Sequence, residues 1–213
     1  MASVHANPVI RGKRVYLRPL EREDIERTVL AVNDREIAHF TGFPMPVGKA
    51  GADRFFDEEV SKKHGESAYF FAICRLGSAE VIGECGFHDL RAGMRADVGI
   101  FMLPAYVGKG LGTDAMNALV DFGFGELMLE RIGLVVDPEN ERAIASYEKC
   151  GFTREGVMRA FRRHRGRISD ALVMSITRPE WDALDRPRAW DYPPPPRAKR
   201  ASTGSTRARS RTR

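Results

Sequence analysis

Hydrophobic and polar residues alternate along this chain with a period that changes from segment to segment. Between residues 21 and 32, Ile25 and Val32 share one face at helical spacing, which predicts a first helix. A second helix is predicted over residues 50–63, and residues 33–49 between them predict an irregular connection. Runs rich in β-branched and aromatic residues predict strands at 14–19, 68–74, 80–87, 94–103, 131–136, 152–161 and 167–177. Together with two later helices, this order predicts an α+β fold built on a mixed sheet.

A glycine-rich turn follows the strand predicted at 94–103 and opens another amphipathic helix. Gly108, Gly110 and Gly112 lie at the junction. The first N–H groups of a helix lack internal partners and favour negative charge, and glycine lets the backbone approach an oxyanion. The turn therefore predicts a phosphate cradle, with a glycine turn that binds nothing as the alternative. It is not a P-loop, because Lys109 is followed by glycine, and its spacing does not fit a dinucleotide fingerprint.

The last predicted helix spans residues 137–149. Asp137 is typical of an N-cap, and Pro138 of the first helical position. Gly151 is typical of the left-handed residue that follows a helix. These boundaries place Tyr147 in the last turn of the helix.

Two segments carry a family resemblance. The stretch from 103 to 116 resembles the acyl-CoA pyrophosphate loop of the GNAT superfamily of N-acyltransferases, R/Q-x-x-G-x-G/A. Gly110 and Gly112 match this pattern, but Val107 stands where Arg or Gln is usual. The stretch NERAIASYEKCGF, residues 140–152, resembles a second signature, N-x-x-A/S-x-x-x-Y-x-x-x-G-F. Two motifs in the right order are far more specific than either alone.

The resemblance extends over residues 14–176 and is nearest the branch of ribosomal-protein N-terminal and spermidine acetyltransferases. It implies a mixed, mostly antiparallel central sheet, splayed around acyl-CoA and flanked by helices. It also implies an N-acetyltransferase with acetyl-CoA as co-substrate and no metal. The acetyl group would pass in a ternary complex to a primary amine, whether a protein N-terminus, a polyamine or a small molecule. The resemblance leaves a homodimer open.

The resemblance also suggests where the cofactor lies. The strand backbone at 101–103 would run beside the pantetheine arm, and the Met102 or Leu103 N–H would donate to the oxyanion. Gly99 would mark either a bulge that splays this strand or a plain strand glycine. Asn140 is either a first-turn helix residue or a cofactor contact. The full set of expected cofactor contacts is Phe101, Met102, Leu103, Gly108, Lys109, Gly110, Leu111, Gly112, Thr113, Asn140 and Ser146.

Three residues are candidates for proton transfer. Tyr147 matches the family's general acid for the departing thiolate, with a core tyrosine as the alternative. Asp97 stands where relatives often place a glutamate base, and Glu84 on the neighbouring strand is the other candidate. A carboxylate of pKa ~4 is a poor base for an amine unless it is buried or acts through water. A solvated strand residue is the plain alternative for both carboxylates.

The composition of the chain predicts a domain boundary and a cellular location. The chain has 213 residues and a net charge of +5, but residues 186–213 hold nine of its Lys and Arg and one Asp. We therefore predict an acetyltransferase domain at 1–185 and a basic, disordered tail at 186–213. The three cysteines form no metal or disulfide pattern, no apolar run approaches a membrane span, and a cytoplasmic location is expected.

Two other functions stay open at this stage. The chain could be a non-catalytic acyl-CoA-binding module of the same fold, because Val107 departs from the motif and the base is undecided. It could also be a nucleic-acid-associated protein that acts through weak polyanion contacts of its tail.

Overall fold

A computed structural model gives the fold and describes residues 10–41, 46–78, 80–164 and 166–193. Its strands are β1 (Ile10–Arg11), β2 (Val15–Pro19), β3 (Tyr69–Arg75), β4 (Val81–Arg91), β5 (Arg95–Met102), β6 (Arg131–Val136), β7 (Thr153–His164) and β8 (Arg167–Thr177). They form one sheet in the order β1-β2-β3-β4-β5-β6-β8-β7. All pairs are antiparallel except β5 with β6. The predicted mixed, mostly antiparallel sheet is confirmed.

Helices flank this sheet on both faces. They are α1 (Arg22–Val32), α2 (Arg35–Thr41), α3 (Lys49–Phe55), α4 (Ser61–Lys63), α5 (Leu111–Gly125), α6 (Glu141–Lys149) and α7 (Arg178–Asp182), with a π-helical segment, Phe56–Val60, between α3 and α4. One core cluster lies under α5 and α6, and a second lies under α1 and α3. Within the described residues, no helix combines the length and the apolar character that crossing a bilayer requires.

Strands β5 and β6 pair over only three residues and then part. The last pair is Asp97 with Gly133. Beyond it, β5 stays on β4 as far as Met102, while β6 stays on β8 as far as Val136. A gap therefore opens in the middle of the sheet, on the side of β5 that faces away from β4.

The prediction of an irregular connection at 33–49 is wrong in part, because α2 (Arg35–Thr41) lies within it. The Asp34 carboxylate accepts the N–H groups of Glu36 (2.9 Å) and Ile37 (3.1 Å) and so caps this short helix. The aromatic and proline-rich centre of the predicted connection falls partly on residues 42–45, which lie outside the described residues.

The predicted start of the helix at 137 is also wrong, because α6 begins at Glu141. Asn140 is its N-cap, and the Asn140 side chain accepts the Ala143 N–H at 3.2 Å. The Asp137 carboxylate instead accepts the Glu139 N–H at 2.9 Å, which makes a local turn before the helix. Two good caps lie close together here, and the later one begins the helix.

The predicted boundary at residue 185 is too early, because the next residues pack on α5. The buried Asp121 carboxylate accepts the Trp181 indole N–H (2.8 Å), both terminal nitrogens of Arg186 (2.8 and 2.9 Å) and the Ala189 N–H (2.8 Å). The Arg188 guanidinium stacks 4.3 Å from the centre of the Trp181 indole. Basic residues at 186 and 188 are thus internal partners, and the part of the predicted tail from 194 on lies outside the described residues.

We expect a chain ending at residue 185 to be less stable than one ending at residue 193. The shorter chain loses the Arg186 and Ala189 partners of Asp121, whose side chain is 2% exposed in the intact fold. Removing one partner of a buried pair costs about 3–5 kcal/mol, with the lower end expected here because the truncation also admits water. Thermal and urea unfolding of the two chains measures the difference. Equal midpoints would show that the segment 186–193 adds nothing to the domain.

Candidate active site

The glycine turn forms an open row of backbone donors at the N-terminus of α5. Gly108 and Gly110 have φ of 74° and 72°, left-handed values that glycine adopts without strain, and Gly110 is the N-cap. Within the described part of the chain, no N–H group from Gly108 to Thr113 donates a hydrogen bond. The first N–H to do so is that of Asp114, which donates to the Gly110 carbonyl at 3.2 Å. Six consecutive free N–H groups at a helix N-terminus make a site for an anion.

The turn between β1 and β2 lies directly against this row of donors. The Asp114 carboxylate accepts three of the turn's backbone N–H groups, those of Lys13 (2.9 Å), Arg14 (2.7 Å) and Val15 (3.1 Å). A Cβ at Gly12 would lie 2.7 Å from this carboxylate, so only glycine allows the approach. Sequence reasoning missed this contact because about a hundred residues separate the two segments.

The Met102 and Leu103 N–H groups were predicted as alternative oxyanion donors. The Leu103 N–H donates to the Ile82 carbonyl on β4 at 2.9 Å, so of the two Leu103 is wrong. N–H groups alternate in direction along an antiparallel strand, and the Met102 N–H therefore points into the gap between β5 and β6. Gly99 pairs in register with Gly86, so the splay is not a bulge at Gly99 on the β4 side.

Two predicted cofactor contacts are hydrogen-bonded to each other. The hydroxyl of Thr113 in α5 lies 2.7 Å from that of Ser146 in α6. The Cys150 thiol also reaches the Thr113 carbonyl, at 3.5 Å. These bonds hold α6 beside the first turn of α5. The Asn140 side-chain oxygen accepts the Ala143 N–H and so caps α6. The side-chain NH₂ group of Asn140 is the part that can contact a ligand.

Tyr147 lies in the last turn of α6, as predicted. The helix ends in a Schellman motif, in which the Phe152 N–H donates to the Tyr147 carbonyl (3.1 Å) and the Gly151 N–H to the Glu148 carbonyl (3.0 Å). The partly exposed ring packs on the core, and its hydroxyl has no hydrogen-bond partner among the described residues. Burial, reinforced by the nearby Cys150, raises the pKa of Tyr147 to about 12. The phenol is therefore protonated at neutral pH.

Glu84 lies on β4 directly opposite Phe101 of β5, on the face covered by α1. Its Oε1 atom is buried, without a partner among the described residues. Burial raises the pKa of Glu84 to about 7; the nearby Asp24 adds to the shift, and the Thr28 hydroxyl opposes it. Asp24 is itself paired with Arg18 through two hydrogen bonds, of 2.5 and 2.7 Å. A carboxyl group with this pKa can exchange protons near neutral pH.

Asp97 lies at the other end of β5, four residues from Phe101, or about 13 Å along an extended strand. It groups with His88 and Asp89, and their ligand-type atoms fall within 4.8 Å of one another. The three side chains line an open cavity of about 590 Å³ that also contains Lys63 and Arg95. The structure thus separates the two candidate bases: Asp97 lies where β5 parts from β6, and Glu84 lies beneath α1, beside Thr28 and Asp24. Because such a trio can bind metals, the absence of a metal stays a prediction.

Comparisons with known proteins agree with this geometry. A family model described as an acetyltransferase (GNAT) domain matches residues 14–153. Spermidine N(1)-acetyltransferase of Escherichia coli (strain K12) is 31% identical over 76% of this chain and 85% of its own length. Spermidine N(1)-acetyltransferase of Vibrio cholerae is 34% identical over 78% of this chain and 94% of its own length. The "Uncharacterized N-acetyltransferase YoaA" of Bacillus subtilis is 28% identical over 81% of this chain and 98% of its own length.

Solved structures show the same fold. A spermidine N-acetyltransferase from Vibrio cholerae in complex with CoA and spermine superposes with a TM-score of 0.72 at 25% identity, over 78% of this chain and 97% of that one. A GNAT-family acetyltransferase from Bacillus anthracis superposes with a TM-score of 0.69 at 23% identity, over 79% and 97%. The family model, the relatives and the sheet that parts after Asp97 lead to one conclusion: this chain belongs to the GNAT family of N-acetyltransferases.

Proposed function

We propose that the chain uses acetyl-CoA to acetylate a primary amine by direct attack in a ternary complex. The observation that carries the proposal is the row of N–H groups from Gly108 to Thr113, which are free among the described residues and pass beside Met102 at the end of β5. A diphosphate needs several donors at once, and these donors are fixed before the ligand arrives. The match of residues 14–153 to an acetyltransferase (GNAT) domain also supports the proposal.

The cofactor would lie along the gap between β5 and β6. Its diphosphate would take the N–H groups at the start of α5, with the hydroxyl of Thr113 and the charge of Lys109 at the margin. Its pantetheine arm would bond to the free edge of β5 as an added strand does. The Met102 N–H points into the same gap and is the candidate donor to the oxyanion.

Acetyl transfer requires two proton movements, and two groups are suited to them. Glu84, with its pKa raised to about 7, would accept the proton that the amine loses on attacking the thioester carbonyl. The Met102 N–H would stabilise the oxyanion while the carbon–sulfur bond breaks. Tyr147 would donate its proton to the departing sulfur. Burial makes the tyrosinate costly, but it also disfavours a thiolate beside the ring, so the transfer remains feasible.

The acceptor that we propose is a chemical class, primary amines. Primary amines on a protein N-terminus, a polyamine or a small molecule all fit the proposed chemistry. The spermidine acetyltransferases among the relatives make polyamines the first acceptors to examine. The partly buried carboxylate of Glu84 is compatible with any cationic amine.

We expect the protein to transfer acetyl from acetyl-CoA to at least one primary amine in a panel of polyamines, peptides and aminoglycosides. Gly110→Asp should abolish acetyl-CoA binding, because it places a carboxylate on the anion site. Gly110→Asn is the matched control, since Asn and Asp both tolerate left-handed backbone and differ here mainly in charge. Titration calorimetry gives the affinities, and release of free CoA gives the rates. Equal affinities for the two folded variants would contradict the cradle, and an inactive wild-type protein across the panel would contradict the enzyme.

We expect Tyr147→Phe to lower the turnover number by at least ~10-fold, because general acids typically contribute ~10²–10⁴-fold and water can substitute in part. Affinity for acetyl-CoA should stay close to that of the wild type, because the ring and its packing remain. Tyr16→Phe is the control, since its hydroxyl bonds to the Ser78 carbonyl away from the cradle. If Tyr147→Phe lost cofactor affinity along with turnover, the tyrosine would be a binding or structural residue instead.

We expect kcat/KM of the wild type to rise as the pH passes through about 7, because Glu84 must lose its proton to act as a base. Glu84→Gln should lose this rise of kcat/KM with pH, whereas Asp97→Asn should keep it.

The free energy of unfolding gives an independent test of the raised pKa of Glu84. Burial favours the neutral carboxyl in the folded state, so the wild type should lose stability relative to Glu84→Gln as the pH rises from about 4.5 to about 7. If the rise of kcat/KM with pH were lost in Asp97→Asn, the general base would be Asp97 and not Glu84.

A further inference from the structure

Arg14 places a guanidinium group on the rim of the donor row. Its Nη1 donates to the Lys109 carbonyl at 2.7 Å, and a Cβ at Gly110 would lie 3.8 Å from the same nitrogen. Among the described residues, its side chain makes no other hydrogen bond and no ion pair. A guanidinium has five N–H donors, so most of those on Arg14 are free for a ligand.

The position of this side chain is fixed from two directions. Its backbone N–H is held by the Asp114 carboxylate at 2.7 Å, and its guanidinium by the Lys109 carbonyl. An arginine that is already held loses little conformational freedom when it binds an anion. Its planar fork also suits phosphate oxygens better than the flexible ammonium of a lysine.

A cation at this place would offset a nearby negative charge. Asp114 carries a negative charge in the first turn of α5, close to where a diphosphate would lie. Its oxygens are occupied by three backbone N–H groups, but its charge remains. The loop itself has Val107 at the position where the motif R/Q-x-x-G-x-G/A has Arg or Gln. Arg14 is the guanidinium that the fold brings to the loop from elsewhere in the chain.

We propose that Arg14 binds the diphosphate of CoA together with the backbone donors of residues 108–113. The inference rests on the proposed function, because it assigns one more residue to the same cofactor site. It makes the turn between β1 and β2 part of that site. The affinity for CoA is then set in part by a residue far away in sequence from the glycine motif.

The test compares Arg14→Gln with Lys13→Gln, which removes the same charge from the neighbouring residue. Both variants keep the backbone N–H groups that Asp114 accepts. Calorimetry with CoA and with 3′-dephospho-CoA, each at several salt concentrations, measures the affinities, and thermal unfolding verifies the fold. We expect Arg14→Gln to bind both ligands about 10-fold more weakly, as the loss of a charged hydrogen bond implies, and Lys13→Gln to bind as the wild type does.

The salt dependence of CoA binding distinguishes two roles of Arg14, direct contact with the diphosphate and stabilisation of the loop through the Lys109 carbonyl. If Arg14 contacts the diphosphate, its removal should lower the slope of log Kd against log salt, because one ionic contact is lost. Weaker binding with an unchanged slope would show that Arg14 only braces the loop through Lys109, which overturns the proposal. A loss that disappears with 3′-dephospho-CoA would assign Arg14 to the 3′-phosphate and overturn the diphosphate assignment. If wild-type protein failed to bind CoA at all, the proposed function would fall, and this inference with it.

Discussion

The parting of β5 from β6 decides where a ligand can lie in this protein. The N–H and C=O groups of a strand inside a sheet normally form hydrogen bonds with the neighbouring strand. Where that strand is absent, these groups need water or a ligand as partners. Here the pairing stops at Asp97 and Gly133, and the open edge leads to the N-terminus of α5. An extended ligand with an anionic end fits both features at once. The candidate acid and base lie on opposite faces of the sheet, Tyr147 with the core under α5 and Glu84 beneath α1.

Two buried carboxylates of this fold, Asp121 and Glu84, differ in how completely they are hydrogen-bonded. Asp121 accepts four hydrogen bonds and anchors the segment 186–193. Glu84 is different, because one of its oxygens is buried without a partner among the described residues. Burial raises the pKa of this carboxyl group to about 7. A buried polar group without a partner costs free energy, so its retention calls for an explanation. Contact with an incoming amine would provide one.

The elements that could be predicted from the sequence are those with local signals. The strand at 131–136 was predicted with the same bounds that the structure has, because its apolar run is short and clearly bounded. The Gly110 turn and the Gly151 cap were recognised because left-handed backbone strongly selects for glycine. Helix α2 was missed because it is a single short helix whose cap, Asp34, lies among many polar residues. The start of α6 was misplaced because two capping residues lie within four positions of each other.

The sequence by itself determined the family, the order of most elements and the location of the glycine turn, because these depend on spacings of a few residues. Only the tertiary structure decided where the two carboxylates lie, since Glu84 and Asp97 are both plain strand residues until the register pairs Glu84 with Phe101 and Asp97 with Gly133. It also decided that the Leu103 N–H is occupied, that Arg14 reaches the Lys109 carbonyl and that Arg186 pairs with the buried Asp121. Each of these facts joins residues far apart in the chain. Side-chain periodicity reports which face of its own element a residue occupies, whereas its partner across the fold is set by packing.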